Sequence, residues 1–223
     1  MNLINWIKNL FKTKEAPKPE APKPSNSEIP NNSNPSETPS SSNSSTTSNS
    51  SKKLKIAIVR GHGGNDSGAS GCGTTEVEYN TWVMKEIEKL NLPNVKCFYG
   101  DNSISAVLKS LPFLPDLTMQ LHLNSAGPTA HGCEVLVLDG DTKSYPFAEK
   151  FASMFCKKFN RRMRGDLGKK KLSGKDRGIS SLKTSTFGAK ILVEPWFISN
   201  KEEFVSKEDY FEFMKTYISE IQK

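Results

Sequence analysis

Four polar side chains stand where a parallel sheet would bring them together. His62 follows an apolar run within a glycine-rich loop, His122 lies near the end of a second run, Glu194 ends a third, and Glu76 opens a helical pattern. In open α/β sheets, ligands and chemistry gather at the carboxyl ends of the strands. Two imidazoles and a carboxylate suit a catalytic zinc ion that keeps one position open for water, and a further carboxylate could act on that water.

Glu76 and Glu78 are two positions apart in the predicted helix, so their side chains lie on different faces of it. Glu76 shares one stripe of the predicted helix with Asn80 and with three apolar residues, Val83, Ile87 and Leu90, and this stripe should face the core. Buried carboxylates are normally paired or bound to a metal, so Glu76 is the candidate ligand. The alternative is a first-turn glutamate that only complements the helix dipole.

The other three residues also have ordinary interpretations. His62 could be a loop histidine, His122 a partly buried structural histidine, and Glu194 a strand-end carboxylate paired with Lys or Arg. The apolar residues on both sides of Glu194 should exclude water and raise its pKa, which suits general acid–base work. His131 lies in a predicted loop and is expected to be structural or exposed. The chain has only three histidines, so a site with two of them can be built in few ways.

The elements that must position these residues alternate between strands and helices, which predicts an α/β sheet covered on both faces. Thr75 and Glu78 have the spacing of a capping box at the start of a helix. The predicted strands are 55–59, 95–99, 117–124, 134–138 and 190–194; the predicted helices are 75–90, 103–111, 145–159 and 207–221; a basic loop covers 161–175, and a turn or strand covers 178–182.

The first part of the chain has a different composition from the rest. Residues 1–14 form a short amphipathic pattern, which predicts either a weak membrane-surface helix or a helix that forms only transiently; liposome co-sedimentation of a 1–14 peptide separates the two. Residues 15–53 hold seven of the thirteen prolines and almost no apolar residues, so we expect a disordered linker. Residues 54–223 are then a single globular domain.

Charge and cysteine content exclude some classes of function. The net charge of +7 is compatible with an anionic membrane, a cell wall or nucleic acid. No stripe of clustered arginines with aromatic residues is present, so nucleic-acid binding is not expected. The four cysteines include no CxxC pair; they are expected to be mostly buried thiols rather than a zinc cluster.

Several motifs together resemble a known family. The segments GHGGNDSGASGCGTTEVEYN, LHLNSAG, GCEVLVL and LVEPWFISNKEE are similar to those of the zinc-dependent N-acetylmuramoyl-L-alanine amidases, in the same order, from Lys55 to the C-terminus. The resemblance implies His62, Glu76 and His122 as zinc ligands and Glu194 as the catalytic glutamate. It also implies a single mixed, mostly parallel sheet of about six strands flanked by helices.

Some positions depart from the family pattern. Val59-Arg60 stands where the family usually has Asp-Pro, the stretch after Tyr99 is short, and Pro195-Trp196 replaces a more usual Leu-Gly. None of these departures removes a ligand. They bear on contacts with the substrate more than on the metal.

The resemblance implies hydrolysis of the amide between N-acetylmuramic acid and L-alanine in bacterial peptidoglycan. Asn80 and Asn124 are candidates for contacting the substrate or for holding a ligand in place. The alternatives are a zinc peptidase that cuts stem peptides or cross-bridges, and a non-catalytic wall-binding module. No signal peptide and no apolar stretch of about 20 residues is seen, so we expect a protein that stays cytoplasmic until released, as a phage endolysin is, or an autolysin exported by another route.

Overall fold

The computed structural model describes residues 53–100, 103–185 and 187–223. The predicted amphipathic helix at 1–14 lies outside these residues, as does the predicted linker apart from Lys53. No helix in the described part is long and apolar enough to cross a membrane.

The described elements alternate along the chain as expected. In chain order they are β1 (Ile56–Arg60), β2 (Ser70–Gly71), β3 (Thr74–Thr75), α1 (Glu76–Lys89), β4 (Val95–Phe98), α2 (Ile104–Lys109), β5 (Leu117–Leu121), β6 (Glu134–Leu138), α3 (Tyr145–Phe159), β7 (Lys169–Leu172), α4 (Ile179–Thr184), β8 (Ala189–Glu194), a 3-10 turn (Lys201–Glu203) and α5 (Lys207–Ile221).

Six strands form one sheet in the order β4-β1-β5-β8-β6-β7. The pairs β4–β1, β1–β5, β5–β8 and β6–β7 are parallel, and only β6 and β8 are antiparallel. The prediction of a mixed, mostly parallel six-stranded sheet flanked by helices is therefore confirmed. β1 and β5 are buried along their whole length, as expected for parallel strands covered on both faces.

The two faces of the sheet are covered unequally. Helices α1, α3 and α5 pack on one face, where the larger core includes Trp196, Tyr210, Phe151 and Phe213. The short helices α2 and α4 cover the other face, over a small cluster that includes Leu136, Leu172 and Leu192. The thinner cover on the second face leaves room for a cavity at the carboxyl end of the central strands.

The structure corrects two expectations for the region after α3. The predicted basic loop at 161–175 contains an edge strand, β7, whose sequence KKKL lacks an apolar alternation; lysines are common on edge strands because they discourage pairing with another sheet. The predicted turn or strand at 178–182 is helix α4, which packs its apolar residues Ile179 and Leu182 on the sheet.

The cysteines are free thiols, as expected. Cys133 and Cys156 are buried, whereas Cys72 and Cys97 are only partly buried. The capping box predicted at Thr75 and Glu78 is also present, and it fixes the start of α1 at Glu76.

Candidate metal centre

Three adjacent strands, β1, β5 and β8, place residues at or just after their carboxyl ends on the same edge of the sheet. β1 leads to His62, β5 to His122 and β8 ends on Glu194. The parallel pairing continues beyond the strands, because the Gly61 amide donates to the Leu121 carbonyl at 2.9 Å and the His122 amide to the Val193 carbonyl at 3.1 Å. The sequence prediction that these side chains meet at the carboxyl edge follows directly from this order.

Glu76 enters the same place from the start of α1. Its side chain is only 4% exposed, and each carboxylate oxygen accepts a backbone hydrogen bond of 2.7 Å, Oε2 from the amide of Ala69 and Oε1 from that of Leu123. Burial alone would raise the pKa of Glu76, but His122 and the two backbone donors outweigh it and hold the pKa below its usual value. Glu76 therefore stays ionised and fixed in direction.

The two imidazoles face this carboxylate. His62 Nε2 lies 3.4 Å from Glu76 Oε2, and His122 Nδ1 lies 3.5 Å from Glu76 Oε1. The three residues offer ligand atoms that all lie within 4.8 Å of one another. Such separations are long for hydrogen bonds, but ligand atoms bonded to one tetrahedral zinc at 2.0–2.1 Å lie about 3.4 Å apart. The donor set and its spacing fit a zinc ion.

Gly61 allows His122 to take this position. A Cβ added to Gly61 would lie 2.4–2.6 Å from three atoms of the His122 ring, so only glycine permits the imidazole to lie against the end of β1. Within the described part of the chain, the buried Nε2 of His122 has no hydrogen-bond partner.

Asp66 holds His62 in place, and sequence reasoning missed it. Asp66 Oδ2 lies 2.7 Å from His62 Nδ1, and Asp66 Oδ1 accepts the amide of Gly68 at 3.0 Å. The hydrogen bond with His62 lowers the pKa of Asp66, so a carboxylate orients the ring and leaves Nε2 directed at Glu76. A signal existed in the sequence, because an acidic residue four positions after a loop histidine can reach its ring.

Glu194 stands beside a second missed carboxylate, Glu134. The two residues are opposite each other in the β6–β8 ladder. Desolvation, followed by the negative charges of Glu76 and Glu134, raises the pKa of Glu194 to about 8. Glu134 itself accepts hydrogen bonds from Asn124 Nδ2 at 2.8 Å and Arg164 Nε at 2.9 Å. Its surroundings thus favour the protonated form of Glu194.

The two predicted asparagines occupy different positions. Asn80 is fully buried and its amide donates to the Leu121 carbonyl at 3.2 Å, one residue before His122. Because it is buried, Asn80 cannot contact a substrate. It instead supports the backbone next to His122. Asn124 lines the cavity and is held by Glu134. His131 is exposed and lies outside the cluster.

A cavity of about 570 Å³ opens over the cluster. His62, Glu76, His122 and Glu194 line one part of it, and residues of β7 and of the segment before α4 line another. The cavity is large enough for a peptide or sugar segment to lie across the four residues.

Comparison with known proteins agrees with this geometry. The sequence model of the N-acetylmuramoyl-L-alanine amidase family matches residues 56–212. No curated protein matches the chain.

Solved structures share the fold. The catalytic domain of the CD27L endolysin targeting Clostridia difficile is 20% identical, with a TM-score of 0.56 over 75% of this chain and 97% of that one. The catalytic domain of the amidase CwlV from Bacillus (Paenibacillus) polymyxa var. colistinus is 20% identical, with a TM-score of 0.55 over 75% and 96%. Cwp6 from Clostridium difficile is 26% identical, with a TM-score of 0.54 over 76% of this chain but only 28% of that one.

The matched segment begins in the first strand and ends within α5, so it contains the whole sheet and all four residues of the site. Since it also spans well over half of the sequence, the chain belongs to the N-acetylmuramoyl-L-alanine amidase family.

Proposed function

We propose that this chain hydrolyses the amide between the lactyl group of N-acetylmuramic acid and L-alanine in peptidoglycan, with a zinc ion held by His62, Glu76 and His122. The observation that carries the proposal is the spacing of the two imidazoles around the buried carboxylate of Glu76, with Glu194 lining the same cavity. When bound, zinc supplies a Lewis acid that acidifies water and polarises a carbonyl.

The chain's own residues divide the remaining work. Glu76 and the two histidines set the position of the reaction centre, and Asp66 fixes which nitrogen His62 presents. Glu194 accepts the proton of the attacking water and returns it to the leaving amine of L-alanine. Its raised pKa makes it a good proton acceptor, and the positive charge of a bound metal offsets the repulsion from Glu76 that contributes to this shift.

Product analysis tests this proposal. The purified protein should release stem peptides that carry a new L-alanine amino terminus from purified peptidoglycan, as measured by mass spectrometry and amine labelling. Cleavage within stem peptides or cross-bridges would instead identify a zinc peptidase. A protein that binds walls without zinc and without releasing peptide would be a binding module.

Substitution of Asp66 by alanine should weaken zinc binding about 10- to 100-fold, because a carboxylate that orients a ligating histidine typically contributes that much. Competition with a chromogenic chelator measures the affinity. Asp66→Asn is the matched control: its single amide oxygen can accept from the ring or from the Gly68 amide but not from both, so it should keep part of the affinity that Asp66→Ala loses. Equal affinity in wild type and Asp66→Ala would refute this role.

The biological setting also stays a proposal. Peptidoglycan is the polymer on which we expect the domain to act, in agreement with its family. The weak membrane-surface contact of residues 1–14, and release from the cytoplasm as an endolysin, rest on the amino-acid sequence alone.

A further inference from the structure

The catalytic cavity has a basic side that the proposed reaction does not use. Lys170 and Arg177 line the same cavity as Glu194 and the metal cluster. Neither residue belongs to the group of three candidate metal ligands, and each acts on Glu194 only through its charge. Both are therefore available to bind a part of the substrate.

The backbone fixes where both cations stand. Lys170 is paired with Leu136 in the β6–β7 ladder, two residues along β6 from Glu134. Arg177 precedes Gly178, which has a φ of +89° and lies so close to the sheet that an added Cβ would contact Leu136 and Leu192 at 3.4 and 3.5 Å. Leu192 lies two residues before Glu194 on the same face of β8. Arg177, next to Gly178, therefore lies near Glu194, and both residues line the cavity.

In the part of the chain that the structure describes, neither cation makes a close hydrogen bond with a nearby carboxylate. Glu134 already accepts a 2.9 Å hydrogen bond from Arg164 and a 2.8 Å hydrogen bond from Asn124, whereas Lys170 Nζ lies 3.9 Å away from it. Within the described residues, Arg177 has no hydrogen bond or ion pair of its own. A guanidinium with free donors and an adjacent ammonium match an anionic group, above all a carboxylate.

The chemistry of the substrate says where such a carboxylate occurs. The sugar and its lactyl group are uncharged on the glycan side of the scissile amide. On the peptide side, the first negative charge is the α-carboxylate of the second residue, a glutamate joined through its γ-carboxyl, and it is lost where this group is amidated. Two residues of extended chain span roughly 7 Å, so this carboxylate stays within the cavity when the scissile amide lies at Glu194.

We propose that Lys170 and Arg177 bind the free α-carboxylate of the second stem-peptide residue, so that the enzyme prefers stem peptides in which this group is not amidated. The inference rests on the proposed function, since it assumes cleavage at the bond before L-alanine. It also orients the substrate: the peptide runs from Glu194 towards β7 and the start of α4, and the glycan runs away from them.

Two soluble muropeptides that differ only at the second residue test this proposal: one carries D-isoglutamate and the other D-isoglutamine. Wild type should have a kcat/KM about 10- to 100-fold higher on the acid than on the amide, the range expected for a hydrogen-bonded charge pair. The double variant K170Q/R177Q should lose most of this preference, because its kcat/KM falls more on the acid than on the amide. Lys175→Gln is the matched control, an exposed lysine of the same region that does not line the cavity; it should keep the preference.

The outcomes separate the two proposals. An unchanged acid-to-amide ratio in K170Q/R177Q, or an equal loss on both substrates with the zinc content and the melting temperature preserved, overturns the role of these cations while the amidase stands. Cleavage of neither substrate by the wild type overturns the proposed function and this inference together. A variant that melts early is replaced by R177Q alone, which should lower the ratio in the same direction.

Discussion

Replacing Glu194 with glutamine is expected to lower kcat on peptidoglycan by about 10²- to 10⁴-fold, the usual contribution of a positioned acid–base residue. Glutamine has nearly the same shape but cannot accept a proton from water or return it to the leaving amine. Glu194 lies outside the group of three ligands, so the variant should bind one zinc as the wild type does. Turnover of a soluble muropeptide and elemental analysis of the purified variant measure both quantities.

Stability provides the control for this variant. The pKa of Glu194 is raised from 4.5 to about 8, so in the metal-free protein the folded state holds this proton more tightly than the unfolded state. Stability is therefore lost as the pH rises from about 4.5 to about 8, and glutamine removes that loss. At pH 8 the metal-free Glu194→Gln protein should therefore melt no earlier than the wild type. For activity, the control is Glu202→Gln, which changes an exposed glutamate elsewhere and should keep full turnover. Near-normal turnover by Glu194→Gln would show that another group moves the proton.

The cluster of candidate metal ligands could be predicted because its residues follow simple patterns. His122 and Glu194 lie at the ends of apolar runs that are long enough to be strands, and parallel strands align their carboxyl ends. Glu76 lies on the helical stripe of Asn80, Val83, Ile87 and Leu90, and the structure buries all of them except Leu90, which caps the helix and is partly buried. The hydrophobic periodicity and the parallel direction of the strands were sufficient to predict these positions, because each side chain is placed by its own helix or strand.

Glu134 and Asp66 were missed for different reasons. Glu134 is the first residue of its strand, and it reaches the catalytic edge only because β6 runs antiparallel to β8; the direction of a strand is a tertiary property that local sequence does not encode. Asp66 acts within a tight loop in which His62 itself has a φ of +57°. The bend that brings residue 66 back to residue 62 is closed by two backbone hydrogen bonds between Gly63 and Asp66, with Gly63 at a φ of +153°.

The basic region after α3 shows how charge can hide structure. Lys169 is buried and pairs with Glu149, while Lys170 on the opposite face reaches the cavity. A run of three lysines has no apolar alternation, so the period of two that would reveal a strand is invisible. Pairing with β6 and burial of Leu172 decide the outcome, and neither can be recognised from residues 161–175 alone.

Glu76→Ala should be the most damaging single change in the site, because Glu76 does two things. It is one of the three proposed zinc ligands, and it accepts the backbone hydrogen bonds of Ala69 and Leu123. Alanine would leave the buried amide of Leu123 without a partner, at about 1–3 kcal/mol, and would free the part-buried amide of Ala69, so the free energy of unfolding should fall even in the absence of metal. Chemical denaturation of the metal-free protein measures this part of the effect.

The histidine variants isolate the part that belongs to the metal. His62→Ala and His122→Ala should each lose the zinc and lower kcat/KM by about 10³-fold or more, the effect of several kcal/mol of Lewis-acid stabilisation, without the loss of metal-free stability expected for Glu76→Ala. His131→Ala, which removes the remaining histidine at an exposed position, should keep one zinc and full activity. The same activity should disappear on chelation of the wild type and return when zinc is added. A His62→Ala or His122→Ala protein that retains tightly bound zinc and normal turnover would mean that the metal, and with it the reaction centre, lies elsewhere.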